Sequence, residues 1–272
     1  MNFLHSYIPD PVAFQLGLIT VYWYGLFMAL GALVAFIITW RLARRVDLPA
    51  ERLFDLGVLT LVIGFIGARF YHVLNEPSYY WQNPLEVFQV WHGGVAIHGG
   101  LIAGGLTLWI GSKRLKLSFW KLTDLIAPGL LVAQGIGRLG NYFNQELFGR
   151  PTTLTWGIPI DVASRPVEYI SSTYFHPTFL YELIIDALAA IALIIILKKG
   201  LSRFEQANRF GLITAYYFIF YGVGRLVAEY FRIDRTPLIF GIRLPLIVSV
   251  VIILVGIGLM VIITRHSERT QV

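Results

Sequence analysis

Three stretches of this chain, residues 16–40, 93–112 and 244–264, each run for at least 20 residues without a charged side chain. Crossing an apolar slab about 30 Å thick takes about 20 helical residues, so each stretch is long enough to span a bilayer. Four further apolar segments, residues 53–74, 122–140, 177–197 and 210–228, are interrupted only by isolated charges. The chain as a whole is 56% hydrophobic and 14% charged, where a soluble domain carries roughly 25% charged residues. The expectation is an all-α polytopic membrane protein of about seven transmembrane helices, a single integral membrane domain over residues 1–272.

Helices are favoured over strands because hydrocarbon offers the backbone no partners and these runs lack the alternation of a lipid-facing barrel strand. The opening MNFLHSYIPDPVAFQ has no lysine or arginine, so it lacks the basic region of a cleavable signal, and the first helix is expected to remain as an anchor. The absence of cysteine excludes disulfides, thiolate nucleophiles and sulfur-ligated metals within this chain.

Orientation follows from the basic residues. The segments after the first, third, fifth and seventh predicted helices hold 4, 4, 4 and 2 lysines and arginines, whereas the N-terminus and the other three segments hold 0, 0, 2 and 3. The positive-inside bias puts the N-terminus outside and the C-terminus in the cytoplasm. The net charge of +6 reflects this bias and an affinity for anionic lipid headgroups, and does not read as a nucleic-acid signature.

That orientation gives each polar residue a depth. At about 1.5 Å rise per residue, Arg69, Arg138 and Arg225 fall in the outer third of their helices, and so do Tyr24, His98, His176, Tyr181 and Glu182. A charge near the bilayer centre costs about 2.5–3.5 kcal/mol on insertion scales, so such groups face a partner or a wet cavity. Convergence at one depth points to one cavity open to the outer leaflet. For Arg69, snorkelling to the headgroups is an equal alternative.

The richest segment is GIGRLGNYFNQELFGR at residues 135–150. Helical periodicity sets Arg138, Asn141 and Gln145 on one stripe, although the glycines suggest that the helix frays there. In YGVGRLVAEYFR, Tyr221, Arg225, Glu229 and Arg232 share a face, so Glu229 can pair with either arginine. An ion-paired helix end accounts for Glu229 and Arg232 better than for Arg225, a turn deeper. HGGVAIHGGLIAGG opens the third predicted helix with six glycines, which calls for close helix packing or approach to a ligand. His98 within it is a neutral base or donor at ordinary pH, while His176 reads as a structural or capping residue. The segment at 147–176, rich in glycine, proline, threonine and aromatics, reads as a small extracytoplasmic cap with short strands between helices four and five.

No HExxH or Gly-x-Ser-x-Gly motif is present, and the only serine within a span, other than Ser112 at the very end of the third, is Ser249, so zinc and serine hydrolysis lack support. Arginines facing a cavity open to a leaflet most naturally hold phosphate, because the guanidinium matches phosphate oxygens and stays charged when desolvated. A phospholipid headgroup is the expected ligand, and group transfer with phosphate leaving fits such a clamp. A transporter or flippase, or a lipid-binding scaffold without turnover, would use similar features. Against transport, the cytoplasmic half of the spans holds little charge beyond Asp55, Asp124 and Asp186.

At these residues the sequence resembles the bacterial prolipoprotein diacylglyceryl transferases. The likeness rests on VYWYGL, GARFYHVL, GGVAIHGGLIAG, GRLGNYFNQELFGRPT, HPTFLYE and YGVGRLVAEYFR, with Gly-Arg-x-Gly-Asn-x-x-Asn-x-Glu-x-x-Gly the most specific pattern. Phe179 is a departure, where many members are expected to carry glutamine. The resemblance implies an enzyme of the bacterial inner membrane, active toward the outer leaflet. It would join the diacylglyceryl group of phosphatidylglycerol to the lipobox cysteine of a preprolipoprotein signal peptide, form a thioether, release glycerol phosphate, and need no cofactor. Carried over by position, the catalytic residues are His98, Tyr24, Tyr221 and Arg225, and those binding phosphatidylglycerol are Arg138, Asn141, Glu146, Gly149 and Arg225. The attacking thiol belongs to the substrate. A free thiol with pKa about 8.5 needs a base near neutrality, and His98 is the first candidate with Tyr221 the second.

Overall fold

The computed structural model describes residues 3–17, 19–46, 48–90, 93–206 and 209–269. They fall into two compact units, one of Met1–Thr39 with Thr123–Val272 and one of Trp40–Leu122. Among the described residues, seven helices have 18 residues or more, and they lie on the seven apolar segments read from the sequence. Four segments, Trp23–Val46, Glu51–Asn75, Thr178–Gly200 and Leu244–His266, are long and apolar enough to cross a membrane.

The first unit begins with a short helix α1 (Phe3–Ser6) and a hairpin of β1 (Val12–Leu16) and β2 (Ile19–Tyr22). This corrects the expected first span. The apolar run from residue 16 holds a turn with Gly17 at φ +60° and the strand-favouring Thr20, Val21 and Tyr22, so helix α2 starts only at Trp23 and runs to Ala43. Asp10 Oδ1 accepts the Val12 N–H at 2.8 Å and fixes the hairpin's entry.

The second unit is a helical pair, α3 (Ala50–Asn75) and α5 (Ile97–Arg114), with a short helix α4 (Pro77–Gln82) between them in sequence. Close packing explains its glycines. A Cβ on Gly67 would lie 2.3 Å from Ala103 Cβ and 2.8 Å from the Gly99 carbonyl, so the backbones of α3 and α5 touch. Gly93 and Gly94 stand outside the helix at φ +88° and +74°, which moves the start of α5 four residues later than the apolar run suggested.

In the first unit the chain continues through α6 (Phe119–Phe143), β3 (Ile158–Pro159), β4 (Tyr174–Phe175), α7 (Thr178–Gln206), α8 (Leu212–Phe231), the hairpin β5 (Leu238–Ile239) and β6 (Ile242–Arg243), and α9 (Leu244–Arg269). The expected fraying around residues 135–140 does not occur, and α6 stays helical through Phe143. Buried Asp124 on α6 accepts the N–H groups of Gly211 and Thr214 at 2.7 and 2.8 Å, so a carboxylate caps the N-terminus of α8. Between α6 and α7, β3 pairs antiparallel with β4 over a core of Tyr142, Phe148, Ile158, Ile160, Phe175 and Phe179. Phe179 stacks on Tyr142 with ring centroids 4.5 Å apart, so an apolar contact occupies the place expected for glutamine.

Candidate functional site

Helices α6, α7 and α8 of the first unit each contribute charge to one place. Its centre is Glu182, buried near the start of α7 and four residues after Thr178, the helix's first residue. Glu182 Oε1 accepts hydrogen bonds from Arg232 Nε at 3.0 Å and Nη2 at 2.5 Å. Its other oxygen, Oε2, pairs with Arg138 Nη2 at 2.8 Å and lies 4.0 Å from Arg225 Nη1. One carboxylate therefore meets three guanidinium groups. A second carboxylate, Glu229, pairs with Arg225 at 2.9 Å and with Arg243 at 2.6 Å.

Of the two arginines open to Glu229 in the sequence reading of the sixth long helix, Arg225 is the partner, and the expected ion-paired helix end of Glu229 with Arg232 does not form. Arg232 follows the last turn of α8, and its side chain reaches α7 instead of turning back along its own helix.

Arg138, Glu182, Ile185, Asp186, Tyr221, Gly224 and Arg225 line a pocket. Arg138 Nε and Arg225 Nη1 are buried without a hydrogen-bond partner among the described residues. Unmet guanidinium N–H groups beside a pocket carry a desolvation cost that an anion placed there would relieve. Tyr221 completes the wall, its ring stacked on Tyr217 at 6.0 Å.

The segment after Arg138 is held by its own polar groups. Asn141 Nδ2–H donates to Glu146 Oε1 at 2.8 Å, and the Glu146 N–H returns a bond to the Asn141 carbonyl at 3.0 Å. Arg138 Nη1 reaches Asn141 Oδ1 at 3.5 Å, so Arg138, Asn141 and Glu146 form one chain. Asn144 Nδ2–H also approaches Glu146, at 3.4 Å. Gln145, expected on the same stripe, leaves it at φ +52° and ties the pre-hairpin segment to the cap through Pro9 and Asp161. Gly149 admits no side chain, because a Cβ there would lie 2.8 Å from His176 Cβ and 2.9 Å from Thr178 Cγ2. Tyr24, on the first turn of α2, packs against Gly140, where an added Cβ would meet its ring at 2.7 Å.

His176 serves the cap. Its Nδ1 and Tyr181 Oη share a hydrogen bond of 3.0 Å, and Tyr181 Oη also accepts the Trp156 indole N–H at 3.0 Å. Burial, and then the nearby Arg150 guanidinium, push the His176 imidazole below the ordinary histidine value.

His98 and Arg69 belong to the second unit. His98 is the second residue of α5, with its ring 5.9 Å from that of Tyr71. Arg69 is neither a snorkelling side chain nor a cavity group. It is 7% exposed, and its donors go to backbone carbonyls, Nε to Val87 at 3.0 Å, Nη1 to Gly93 and Gly94 at 2.7 and 2.8 Å, and Nη2 to Glu86. The guanidinium also lies 5.2 Å from the Tyr80 ring centroid.

Sequence reasoning placed Glu182 in the polar layer but gave it no part in the site, and it gave none to Glu229, Arg232 or Asp186. The partners of Glu182 lie on α6 and just beyond α8, and spacing along one helix carries no signal for them.

Long apolar helices with a pocket of paired arginines and carboxylates in one unit define a membrane protein with a buried charged site. Residues 11–262 match the prolipoprotein diacylglyceryl transferase family, and the chain belongs to that family. A phosphatidylglycerol–prolipoprotein diacylglyceryl transferase of Synechococcus elongatus is 40% identical over 250 residues, covering 92% of this chain and 86% of its own. Its counterpart in Staphylococcus haemolyticus is 38% identical over 263 residues, covering 96% and 90%. That of a Nostoc species is 41% identical over 252 residues, covering 92% and 87%.

Proposed function

We propose that this protein transfers the diacylglyceryl group of phosphatidylglycerol to the thiol of the lipobox cysteine in a preprolipoprotein. The observation that carries the reading is the pocket of α6, α7 and α8, where Arg138 and Arg225 each keep a buried N–H without a partner. A phosphodiester is the anion that suits it. The carboxylates Glu182 and Glu229 hold the guanidiniums in place before substrate arrives, so little reorganisation is needed when charge grows on the leaving phosphate. Asn141 and Glu146 orient Arg138 and the headgroup glycerol. Gly149 keeps the chain beyond Glu146 close to the start of α7.

In the reaction, the substrate sulfur attacks the glyceryl carbon that bears the phosphate. The carbon–oxygen bond breaks, its electron pair goes to the phosphate, and glycerol phosphate leaves. His98 accepts the thiol proton, with Tyr221 the second candidate because a phenol titrates near pH 10. Tyr24 lines the approach beside Gly140. With no cysteine in the chain, the thiol is the substrate's alone.

In this reading all seven long helices cross the bacterial inner membrane as one domain, with the N-terminus outside and the C-terminus cytoplasmic. The lysine and arginine bias supports that orientation. The pocket then opens toward the outer leaflet, with residues 147–176 as an extracytoplasmic cap.

The test is incubation of the detergent-purified protein with phosphatidylglycerol and a lipobox peptide, following peptide mass and released glycerol phosphate. We expect a diacylglyceryl mass gain that tracks glycerol phosphate release and is absent with a peptide carrying serine for cysteine. A folded protein that binds the lipid and yields no product would return the reading to a scaffold or transporter. Near-normal turnover in His98→Gln with none in Tyr221→Phe would move the base to Tyr221.

A further inference from the structure

The helices that line the pocket each hold a polar residue four positions from a lining residue, about 6 Å along the axis. Gln134 precedes Arg138 on α6, Asp186 follows Glu182 on α7, and Tyr217 precedes Tyr221 on α8. These residues form a second polar layer. Gln134 Nε2–H donates to Tyr217 Oη at 3.0 Å, and Gln134 Oε1 is buried without a hydrogen-bond partner. The Tyr217 ring stacks on Tyr221, which lines the pocket.

Asp186 is the member of this layer that itself lines the pocket. It is 7% exposed and makes no hydrogen bond or ion pair among the described residues. The cations that face it are committed elsewhere, Arg138 to Glu182 and Arg225 to Glu229. The other titratable groups around it are Glu182 on its own helix and Tyr217 and Tyr221 on α8. A buried carboxylate whose neighbouring cations are already paired is expensive, whereas a neutral carboxylic acid needs no counter-ion. It also has a proton to give.

We propose that Asp186 is a catalytic acid of the transfer, giving its proton to the phosphate oxygen that departs from the glyceryl carbon. The inference rests on the phosphatidylglycerol reading above. As the sulfur–carbon bond forms, the carbon–oxygen bond breaks and its electron pair stays on the phosphate, which takes the Asp186 proton and leaves as the monoanion. The thiol proton goes to His98. His98 then loses a proton to water and Asp186 regains one, so the enzyme returns to its starting state.

The experiment measures kcat and KM for phosphatidylglycerol against pH for the wild type, Asp186→Asn and Asp186→Glu, using the purified full chain and the cysteine peptide. For Asp186→Asn we expect kcat to fall about 100-fold with KM within about threefold of wild type, and the alkaline fall of the wild-type profile to vanish. Asp186→Glu should recover most of kcat and restore an alkaline fall. An Asp186→Asn enzyme with kcat within about threefold of wild type overturns the proposal. So does an alkaline fall that persists unchanged in that variant, or a loss carried wholly by KM. If Asp186→Asn does not fold, Asp186→Glu decides alone, a displaced alkaline limb supporting the acid and an unmoved one overturning it. A wild type that transfers nothing to the peptide sinks the phosphatidylglycerol reading and the acid with it. Failure of the acid alone leaves wild-type transfer intact.

Discussion

Arg69 and Arg138 both interrupt apolar runs beside glycines, and the outer-third position gives both the same expectation, yet the two units satisfy them differently. Arg69 spends its donors on four backbone carbonyls of the segment 86–94 and lies against Tyr80. It substitutes for secondary structure, supplying donors to the carbonyls of Glu86, Val87, Gly93 and Gly94. Arg138 has one ion pair with Glu182, a long contact with Asn141, and an Nε left without a partner beside a pocket. The difference teaches that an intramembrane arginine is classified by where its donors go. Depth alone does not separate the two roles.

The comparison can be broken most severely at Glu182. Removing one partner of a buried ionic cluster costs about 3–5 kcal/mol, because the remaining charges stay buried and uncompensated. We expect Glu182→Ala to lower thermal stability in detergent and to abolish transfer, and a variant as stable as the wild type would deny Glu182 its central place. Next is Arg138→Lys, which keeps the charge but loses the fork. Its kcat/KM should fall about 100-fold, the range seen on removing one donor from a preorganised anion site. Unfolding curves should overlay those of the wild type in a thermal melt, so that the loss is one of chemistry.

Arg69→Lys sharpens the contrast from the other side. A lysine cannot reach four carbonyls at once, and we expect a stability loss of about 2 kcal/mol with turnover per folded molecule within about threefold of wild type. A large fall in turnover without loss of stability would erase the distinction between the two arginines. The smallest effect is at His176. Its imidazole is held below the ordinary value, so the unfolded chain binds more protons than the folded one as pH falls through about 6.5. Stability should therefore decline below that pH, and His176→Gln should make the decline shallower in melts recorded at pH 5 and pH 7.

Much of the helical framework was legible because apolar runs longer than about 20 residues have few alternatives. The boundary at Trp23 was not. Thr20, Val21 and Tyr22 are as apolar as a helix needs, and only their pairing with residues 12–16 shows that they form a strand. The motif around Arg138 was readable as a site, since Arg138, Asn141 and Glu146 are neighbours in sequence and remain neighbours in space. Glu182 was seen as one polar group among several. Its role depends on Arg138 and Arg232, which lie 44 and 50 residues away along the chain, and helical periodicity is silent at that range. The pairing of Glu229 with Arg243 was hidden for the same reason, because it crosses the turn between α8 and α9.

The most direct measurement is equilibrium binding of phosphatidylglycerol, labelled in its phosphate, to the purified wild type, Arg138→Lys and Arg69→Lys proteins under one set of detergent conditions. If the pocket of α6, α7 and α8 holds the phosphodiester, Arg138→Lys should weaken binding about tenfold or more while Arg69→Lys binds as the wild type does. Equal binding by Arg138→Lys and the wild type, or an equal loss in both variants, would contradict it.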